Sequence, residues 1–296
     1  MKSPLRVLLI GLKHPSRMVA YWLRKAGLKT HVGNIFSILS PQKYHVVHFV
    51  YSPTIKIRGP FLLLFLKASG KKIVVHWAGS DVLGLLARRK MRILNNIAKR
   101  FVDVHLADGP WLCKELELVG VRSTSVPLLS NLKADVTPLP DEPAMLFYLP
   151  EKRYIFHGGR ILEKLATDFP EAKFLVVANT GKCCEKRENI EFLGYVPYRE
   201  MPKIYRRVRG LIRMPLHDGL SMMVVEALLH GRYVIYSKKL KHCFYAKNYS
   251  DVRKYVKKIM EIDRPNYDGA KYALKLISYS VGRLLTTYRK LLGESN

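Results

Sequence analysis

Two carboxylates eight residues apart have the type and spacing best suited to chemistry in this chain. Asp218 and Glu226 lie in the segment 213–237, RMPLHDGLSMMVVEALLHGRYVIYS. The pattern predicts a strand end, a polar turn, an apolar helix at about 220–229, a glycine stop and a second strand. Because this helix is apolar except at Glu226, the carboxylate should be buried, and a buried carboxylate needs a bonding partner.

The start of the same helix is the second candidate for chemistry. Asp218 is followed by three residues whose amide groups would lie in the first turn, namely Gly219, Leu220 and Ser221. The first amides of a helix have no partner within it, and they carry the positive end of its dipole. A carboxylate, a glycine and a helix N-terminus together predict a pocket for phosphate and sugar.

The elements that position these residues follow one pattern repeated twice. Short aliphatic strands alternate with longer helical segments from residue 5 to 126 and again from 144 to 236, as in βα units on a parallel sheet. The intervening stretch contains prolines at 127, 138, 140 and 143 and reads as a linker. We therefore predict an α/β protein with two Rossmann-like domains, at 1–130 and 144–265, a linker at 131–143 and a C-terminal helix at 266–296 that returns to the first domain.

Ligands of open parallel sheets bind beyond the carboxyl ends of the strands, so a site is expected in the cleft between two such domains. Composition adds a constraint on the ligand. The chain has 51 Lys and Arg against 23 Asp and Glu, a net charge of +28, which favours polyanionic partners: nucleic acid, anionic lipid or phosphorylated substrates. The four cysteines show no disulfide or zinc spacing, and no apolar run is long enough to span a bilayer, so a cytoplasmic protein is expected.

The run HDGLSMMVVEALLHGRYVIYS resembles the E-x7-E region of retaining family-4 glycosyltransferases of the GT-B fold, commonly EGFGxxxxEAMAxGxPVI. Asp218 and Glu226 occupy the two acidic positions. ENIEFLGYVPYREMPKIYRRVRGLIRMPL and VHWAGSDV resemble the segments that precede this motif and the histidine-glycine-aspartate loop of the first domain. The resemblance is strong at 188–237 and loose elsewhere.

The resemblance implies that Glu226 binds the ribose of a nucleotide-sugar and that Asp218 contacts the sugar. Asp218 is one methylene shorter than the usual glutamate. The amides of Gly219, Leu220 and Ser221 would hold the diphosphate. The alternatives are an ordinary Asp-Gly turn at Asp218 and, for Glu226, a structural ion pair with Arg213, Arg232 or another base.

The departing diphosphate also needs cations. The family takes an arginine and a lysine from the loop after the first strand of the second domain, where this chain has PEKRYIFHGGR in place of the usual GRxxxxKG. Arg153, Lys152 and Arg160 are the candidates, in that order, although each is equally well explained as a solvated surface charge. No DxD motif is present, so neither a metal nor another cofactor is expected.

The loop HWAGSD supplies candidates on the acceptor side. The resemblance implies that His76 lies near the reacting centre and that Gly79, Ser80 and Asp81 accompany it. The alternatives are a core histidine at 76 and a helix-capping carboxylate at 81. His14, in the first strand-end loop, is a weaker candidate because Lys-His-Pro is also a plausible exposed turn.

The stretch 83–101 combines apolar residues with six bases and no acid. Such an amphipathic basic helix can lie on an anionic membrane surface, which suggests a peripheral protein at the inner face of a membrane. The alternative is that the apolar side chains pack on the sheet and the bases face water.

These observations favour a glycosyltransferase that moves a sugar from a nucleotide-sugar to a glycan or lipid-linked acceptor, with retention and without a metal. An NDP-sugar epimerase or a non-catalytic sugar-nucleotide-binding relative of the same fold remains open. A basic nucleic-acid-binding protein is motivated by the net charge alone, because no recognised binding module is present.

Overall fold

The computed structural model describes residues 5–40, 43–128, 130–183, 185 and 187–293. These residues form two compact units. The first takes those within Met1–Asn131, His217–Leu220 and Leu276–Asn296, and the second takes those within Leu132–Leu216 and Ser221–Lys275. Cys184, one of the four cysteines, lies outside the described residues.

Six parallel strands form the sheet of the first unit, in the order β2-β1-β3-β4-β5-β6. Both faces are covered, so β3 is buried at every position and reads as the nearly continuous apolar run VVHFV. The strands are β1 (Arg6–Gly11), β2 (Lys29–Val32), β3 (Val46–Val50), β4 (Lys72–Trp77), β5 (Val104–Ala107) and β6 (Thr124–Ser125).

The helices of the first unit alternate with these strands. They are α1 (Lys13–Lys25), α2 (Gly59–Ala68), α3 (Ser80–Ala87), α4 (Arg89–Ala98) and α5 (Pro110–Glu117), with short 3-10 helices at Ile35–Leu39 and Lys99–Phe101. The single amphipathic helix predicted over 83–101 is wrong. Arg88 has an extended backbone, with φ −120° and ψ 112°, and it divides the segment into α3 and α4.

The second unit repeats the arrangement with six parallel strands in the order β12-β11-β10-β7-β8-β9. The strands are β7 (Ala144–Tyr148), β8 (Lys173–Val177), β9 (Ile190–Gly194), β10 (Gly210–Arg213), β11 (Tyr233–Tyr236) and β12 (Phe244–Tyr245). The sequence pattern did not predict β12, which is only two residues long and stacks the ring of Phe244 against Tyr233 and Tyr255.

The helices of the second unit are α6 (Gly159–Asp168), α7 (Met201–Arg206), α8 (Met222–Leu229) and α9 (Tyr249–Glu261), with 3-10 helices at Glu151–Arg153, Ile155–His157 and Tyr198–Glu200. One core cluster joins α6 and α9 to the sheet through side chains such as Leu165, Phe174 and Val256. The apolar helix predicted at about 220–229 corresponds to α8.

The proline-rich stretch at 132–143 is held to the second unit by two arginines. The Arg232 side chain is fully buried and donates to the carbonyls of Thr137 and Pro138 at 3.1 and 3.0 Å. Arg209 donates to the carbonyls of Pro140 and, on the other side, of Met260 and Ile262. Bonds to backbone carbonyls therefore fix a segment that has no strand or helix of its own.

The last helix, α10 (Tyr267–Leu291), starts in the second unit, and its residues from Leu276 onward belong to the first. Ser280 donates to the Pro127 carbonyl at 2.7 Å. Leu284 and Tyr288 join the core beneath β1 and β3. The C-terminal part of α10 thus packs in the core of the first unit. No helix within the described part of the chain has the length and apolar character needed to cross a membrane.

Candidate functional site

Glu226 lies in the middle of α8, whose sequence MMVVEALL buries its last six residues. The residue is 2% exposed, and its Oε2 accepts a 2.7 Å hydrogen bond from the phenol of Tyr205 on α7. Burial, with the nearby Glu226 carboxylate, raises the pKa of Tyr205 well above its usual value. The phenol therefore stays protonated and serves as a donor to the carboxylate.

The sequence had named Arg232 as a structural partner for Glu226. The structure instead directs two of its guanidinium nitrogens to carbonyls of the proline-rich stretch. The bond to Glu226, the predicted ribose-binding residue, comes from Tyr205, which also lies in the second unit. Sequence reasoning missed Tyr205. Its only sequence signal was a tyrosine in the helix before β10, and 21 residues separate it from Glu226.

The helix α8 begins at Met222, two residues later than the sequence predicted, and Ser221 is its N-cap. The helix has no side-chain cap and no acidic residue in its first turn. The Ser221 amide is 3.5 Å from the hydroxyl of Tyr236, at the end of the neighbouring strand β11. The positive end of the helix dipole is therefore not offset by an acid in the first turn, which suits an anion.

The loop 217–220 belongs to the first unit, where backbone carbonyls fix it. The indole of Trp111 donates to the carbonyl of Asp218 at 2.8 Å, and the amide of Leu220 donates to the carbonyl of Asp108 at 2.7 Å. The Leu220 amide, which the sequence assigned to the diphosphate, therefore already has a protein acceptor in this structure.

Gly219 lies where the same loop passes close to its neighbours in the first unit. A Cβ on this residue would lie 2.7 Å from Oδ2 of Asp108 and 2.8 Å from the carbonyl oxygen of Ala78. Real Cβ atoms do not approach other atoms so closely, so only glycine fits here. Steric fit thus accounts for this glycine without a ligand.

Asp108 is a buried carboxyl beside this loop that sequence reasoning did not single out. Its Oδ1 accepts a 2.7 Å bond from the amide of Leu128. Burial raises the pKa of Asp108 well above its usual value, the Leu128 bond opposes the rise, and the charges of Asp218 and Asp81 add to it. The first unit therefore gathers several carboxyl groups near the loop that carries Asp218.

Basic and aromatic side chains meet where β7 and β10 end in the second unit. The guanidinium of Arg153 lies over the ring of Phe156 at 4.0 Å, and that of Arg213 lies over the ring of Tyr148 at 5.1 Å. Arg213 also donates from Nη1 to Nδ1 of His157 at 3.1 Å. We call these five residues the arginine–aromatic cluster.

The electrostatics of this cluster suit an anion. Burial, together with the charges of Arg213 and Arg153, lowers the pKa of His157 to about 4. His157 is therefore neutral near pH 7 and accepts a bond from Arg213. Sequence reasoning had named Arg153 but missed His157, and had considered Arg213 only as a structural partner of Glu226.

The other two predicted phosphate-binding residues, Lys152 and Arg160, are exposed in the same loop region. Lys152 lies in the 3-10 helix Glu151–Arg153, and Arg160 lies in the first turn of α6. The amide of Leu216 donates to the carbonyl of Phe156 at 2.9 Å, which ties the loop after β10 to the loop after β7. The basic candidates and the loop that leads toward α8 therefore lie at one edge of the sheet.

His76 lies at the end of β4 and is 1% exposed. Its Nε2 donates to the carbonyl of Val126 at 2.7 Å, and its ring stacks on His48 with centroids 5.4 Å apart. Burial lowers the pKa of His76 to about 4, against the opposing effect of the Val126 bond. This environment favours the core-histidine alternative, and a catalytic role for His76 stays a prediction.

Asp81 is fully buried and accepts four backbone bonds. Its Oδ1 accepts bonds of 3.0 Å from the amides of Ala78, Gly79 and Val82. Its Oδ2 accepts a bond of 2.9 Å from the amide of Ser52. Burial raises the pKa of Asp81, and the four bonds oppose the rise. The carboxylate thus fixes the turn that leads into α3, whose N-cap is Gly79.

Three first-unit candidates remain, of which Gly79 is buried and Ser80 and His14 are exposed. Gly79 has φ +115° and precedes Ser80, the first residue of α3. His14 lies in the first turn of α1, where burial and the Arg17 charge lower its pKa. The predicted residues thus divide between the units: His76, Asp218, Gly219 and Leu220 in the first, and Glu226, Ser221, Lys152, Arg153 and Arg160 in the second. Among the residues that the structure describes, no three metal-ligating side chains are grouped.

No family model matches the sequence, and no curated protein matches it. The fold does match solved structures. HepE of Anabaena in complex with UDP-glucose superposes with a TM-score of 0.71 and 12% identity, over 96% of this chain and 100% of that chain.

Two further structures are similar over most of their length. Sucrose-phosphate synthase from Thermosynechococcus elongatus has a TM-score of 0.77 and 12% identity, over 98% of this chain and 100% of that chain. The lipopolysaccharide outer core galactosyltransferase WaaB has a TM-score of 0.61 and 11% identity, over 94% of this chain and 99% of that chain. At such identities the likeness shows the fold, and it confirms the two Rossmann-like domains of GT-B glycosyltransferases that the sequence predicted.

Proposed function

We propose that the protein is a glycosyltransferase that transfers a sugar from a nucleotide-sugar to a glycan or lipid-linked acceptor, with retention at the anomeric carbon and without a bound metal. The observation that carries the proposal is Glu226: a carboxylate buried in an apolar helix of the second unit, eight residues after Asp218, in a chain with the GT-B fold. A carboxylate is costly to bury, and the hydroxyls of a ribose are suitable donors to it.

The second unit, in this proposal, takes the donor. Glu226 accepts bonds from the ribose hydroxyls, and the N-terminus of α8 at Ser221 binds the diphosphate. Arg153 of the arginine–aromatic cluster, with Lys152 and Arg160, offsets the charge that develops on the diphosphate as the glycosidic bond breaks. HepE binds UDP-glucose, which makes a UDP-sugar the first donor to test.

The first unit, in this proposal, takes the acceptor, and Asp218 contacts the transferred sugar. An acceptor hydroxyl forms a bond to the anomeric carbon on the face from which the nucleotide leaves. The bond from that carbon to the diphosphate oxygen breaks, and the hydroxyl proton passes to the departing diphosphate. Since this proton has a destination on the leaving group, the reaction needs no basic side chain at that position.

An epimerase of the same fold would release an altered sugar without an acceptor, whereas a transferase needs one. A non-catalytic relative would bind the donor and release no nucleotide. A nucleic-acid-binding protein would bind DNA or RNA with a steep salt dependence and would not bind the donor. Product analysis with and without acceptor, together with a gel-shift titration, separates these functions.

The donor site is tested by replacing Glu226 with glutamine, which keeps its shape and its bond from Tyr205. We expect UDP-glucose to raise the unfolding temperature of the wild-type protein and to bind about 10- to 100-fold more weakly to Glu226→Gln, since bonds to a charged acceptor are lost. Glu226→Ala should abolish donor binding and transfer.

Glu261→Gln is the matched control, because Glu261 is an exposed glutamate at the end of α9. It should bind the donor as the wild type does. If Glu226→Gln folds and binds UDP-, GDP-, ADP- and TDP-sugars as well as the wild type does, the proposed donor site is wrong.

We also propose that α2 and α4 of the first unit contact an anionic membrane. Five apolar side chains are exposed on these two packed helices: Phe61, Leu64, Phe65, Ile93 and Ile97. Arg89, Lys90 and Arg92 are exposed on α4. Apolar side chains that enter the headgroup region, beside bases that attract lipid phosphate, are typical of interfacial helices.

Sedimentation with lipid vesicles tests this surface. Phe61 is 76% exposed, so Phe61→Ser should leave folding intact and lower the affinity for phosphatidylglycerol-containing vesicles about tenfold, through the loss of one buried phenyl ring. Tyr195→Ser, which removes an exposed aromatic ring of the second unit, should bind as the wild type does. Equal binding of all three proteins would refute the membrane surface.

A further inference from the structure

A cavity of about 860 Å³ lies in the first unit beside the start of α1, and we call it the α1 cavity. Its walls come from α1, α2 and the segments that follow β1, β2 and β3, which are neighbouring strands of the sheet. Loops at the carboxyl ends of parallel strands are where open α/β sheets bind ligands. The volume is suited to a ligand of the size of a sugar phosphate or larger.

The charges of the α1 cavity have one sign. Lys13, Arg17 and Lys56 line it, and no Asp or Glu is among its lining residues. Within the part of the chain that the structure describes, none of these three bases forms an ion pair. Three positive charges without a nearby negative one favour an anion in this space.

The hydroxyl of Ser16 is the second, independent sign of a ligand. Ser16 lines the cavity and is 1% exposed, and its Oγ has no hydrogen-bond partner among the described residues. A buried hydroxyl without a partner costs free energy, so native proteins rarely retain one unless something else bonds it. A ligand in the cavity supplies that partner.

The N-terminus of α1 adds to the same field. Leu12 occupies the capping position and gives no side-chain bond, and the first turn contains Lys13 but no acid. Helices favour a capping Ser, Thr, Asp or Asn and an acidic first turn, because both complement the unpaired amides and the dipole. At α1 the capping residue accepts no side-chain bond from the free amides, and the first turn has no negative charge to offset the dipole. An anion in the cavity would supply both the acceptor and the negative charge.

The cavity is also lined by apolar side chains, among them Ile35, Phe49 and Leu62. An inorganic anion alone would leave these side chains in contact with water. The ligand therefore has a charged group at α1 and a larger body that extends along the apolar side chains.

We propose that the α1 cavity binds the phosphate group of a phosphorylated acceptor, with Lys13, Arg17 and Lys56 as counter-charges and the Ser16 hydroxyl as a hydrogen-bond donor. The identification of this ligand as the acceptor rests on the proposed glycosyltransferase function. The phosphate site itself does not.

Calorimetric titration with inorganic phosphate at constant ionic strength tests the site. The wild-type protein should bind phosphate, and Arg17→Gln and Ser16→Ala should each weaken binding about tenfold, since each removes a bond to a charged group. Lys25→Gln, the same loss of charge at the exposed far end of α1, should bind within about twofold of the wild type. An equal loss in Lys25→Gln, or no binding by the wild type, would overturn the proposal.

Ser16→Ala has a second signature that a structural role would not produce. Without phosphate, its unfolding temperature should equal or exceed that of the wild type, because the substitution removes a buried hydroxyl that had no partner. With phosphate, its stabilisation should be smaller than that of the wild type. A lower unfolding temperature without phosphate would show that the hydroxyl has a structural role, and it would overturn the assignment of Ser16.

Competition against inorganic phosphate identifies the source of the phosphate group. Glucose 1-phosphate should compete more strongly if the acceptor is a soluble sugar phosphate, and phosphatidic acid in phosphatidylcholine vesicles should do so if it is a lipid. UDP-glucose binding is measured in parallel on the same variants. Donor binding without phosphate binding refutes this inference alone, whereas phosphate binding without donor binding by any nucleotide-sugar refutes the proposed function alone.

Discussion

Two buried carboxylates, Asp81 in the first unit and Glu226 in the second, are held in different ways. Asp81 stands at the start of α3 and accepts bonds from four backbone amides, three of them within three residues of it. Glu226 lies within α8 and accepts a bond from the phenol of Tyr205, on another helix. One carboxylate organises the loop that contains it, whereas the other is bonded by a side chain from a separate helix.

The difference separates structure from function better than burial does. Both side chains are 2% exposed or less, so exposure alone ranks them equally. The four bonds give Asp81 a structural role, because they join its carboxylate to the amides of its own turn and to the amide of Ser52 in another loop. Glu226 lies in the middle of an apolar helix, where it has no capping role, and the proposed function assigns it to the donor.

We expect the largest effect for a substitution at Asp81, which should lower the free energy of unfolding. Asp81→Asn removes the negative charge and replaces one acceptor oxygen by an NH2 group. This group cannot accept a hydrogen bond, so at least one of the four backbone amides loses its acceptor. We expect the free energy of unfolding to fall by about 3 kcal/mol, with donor affinity unchanged in the folded protein. Chemical denaturation and UDP-glucose titration measure the two quantities.

Asp268→Asn is the control for Asp81→Asn, because Asp268 is an exposed acid in the first turn of α10. Its free energy of unfolding should change by no more than about 0.5 kcal/mol. If Asp81→Asn were as stable as this control and bound UDP-glucose weakly, Asp81 would have a donor-binding role like the one proposed for Glu226. The distinction between a structural and a donor-binding carboxylate would then be wrong.

A smaller effect is expected at Tyr205. Tyr205→Phe removes the phenol that donates to Glu226, and it should lower the free energy of unfolding by about 2 kcal/mol. Donor affinity should fall less than in Glu226→Gln, because the carboxylate remains. Tyr195→Phe, at an exposed tyrosine, should match the wild type in both measurements. A larger loss of donor affinity in Tyr205→Phe than in Glu226→Gln would make Tyr205 the principal donor ligand.

The fold was predictable because strand and helix patterns are local. The continuous apolar runs of β3 and β4 require a sheet covered on both faces, and the alternation with helices requires parallel strands. The break between α3 and α4 was missed because no proline or glycine stands at Arg88, and the amphipathic pattern runs through it. Of the candidate site, the sequence named Asp218, Glu226 and Arg153, and it missed Tyr205 and His157, whose contacts join separate elements.

The sequence by itself determined two parallel α/β domains, an apolar helix with one carboxylate, and a strong positive charge. The tertiary structure decided the partners: the Tyr205 phenol for Glu226, the carbonyls of 137 and 138 for Arg232, and the first unit for the loop that carries Asp218. It also placed Lys56, from the segment after β3, in the lining of the same cavity as Lys13, Ser16 and Arg17 of α1. The physical reason is range, because periodicity records neighbours along one helix or strand, whereas these contacts join residues far apart in the chain.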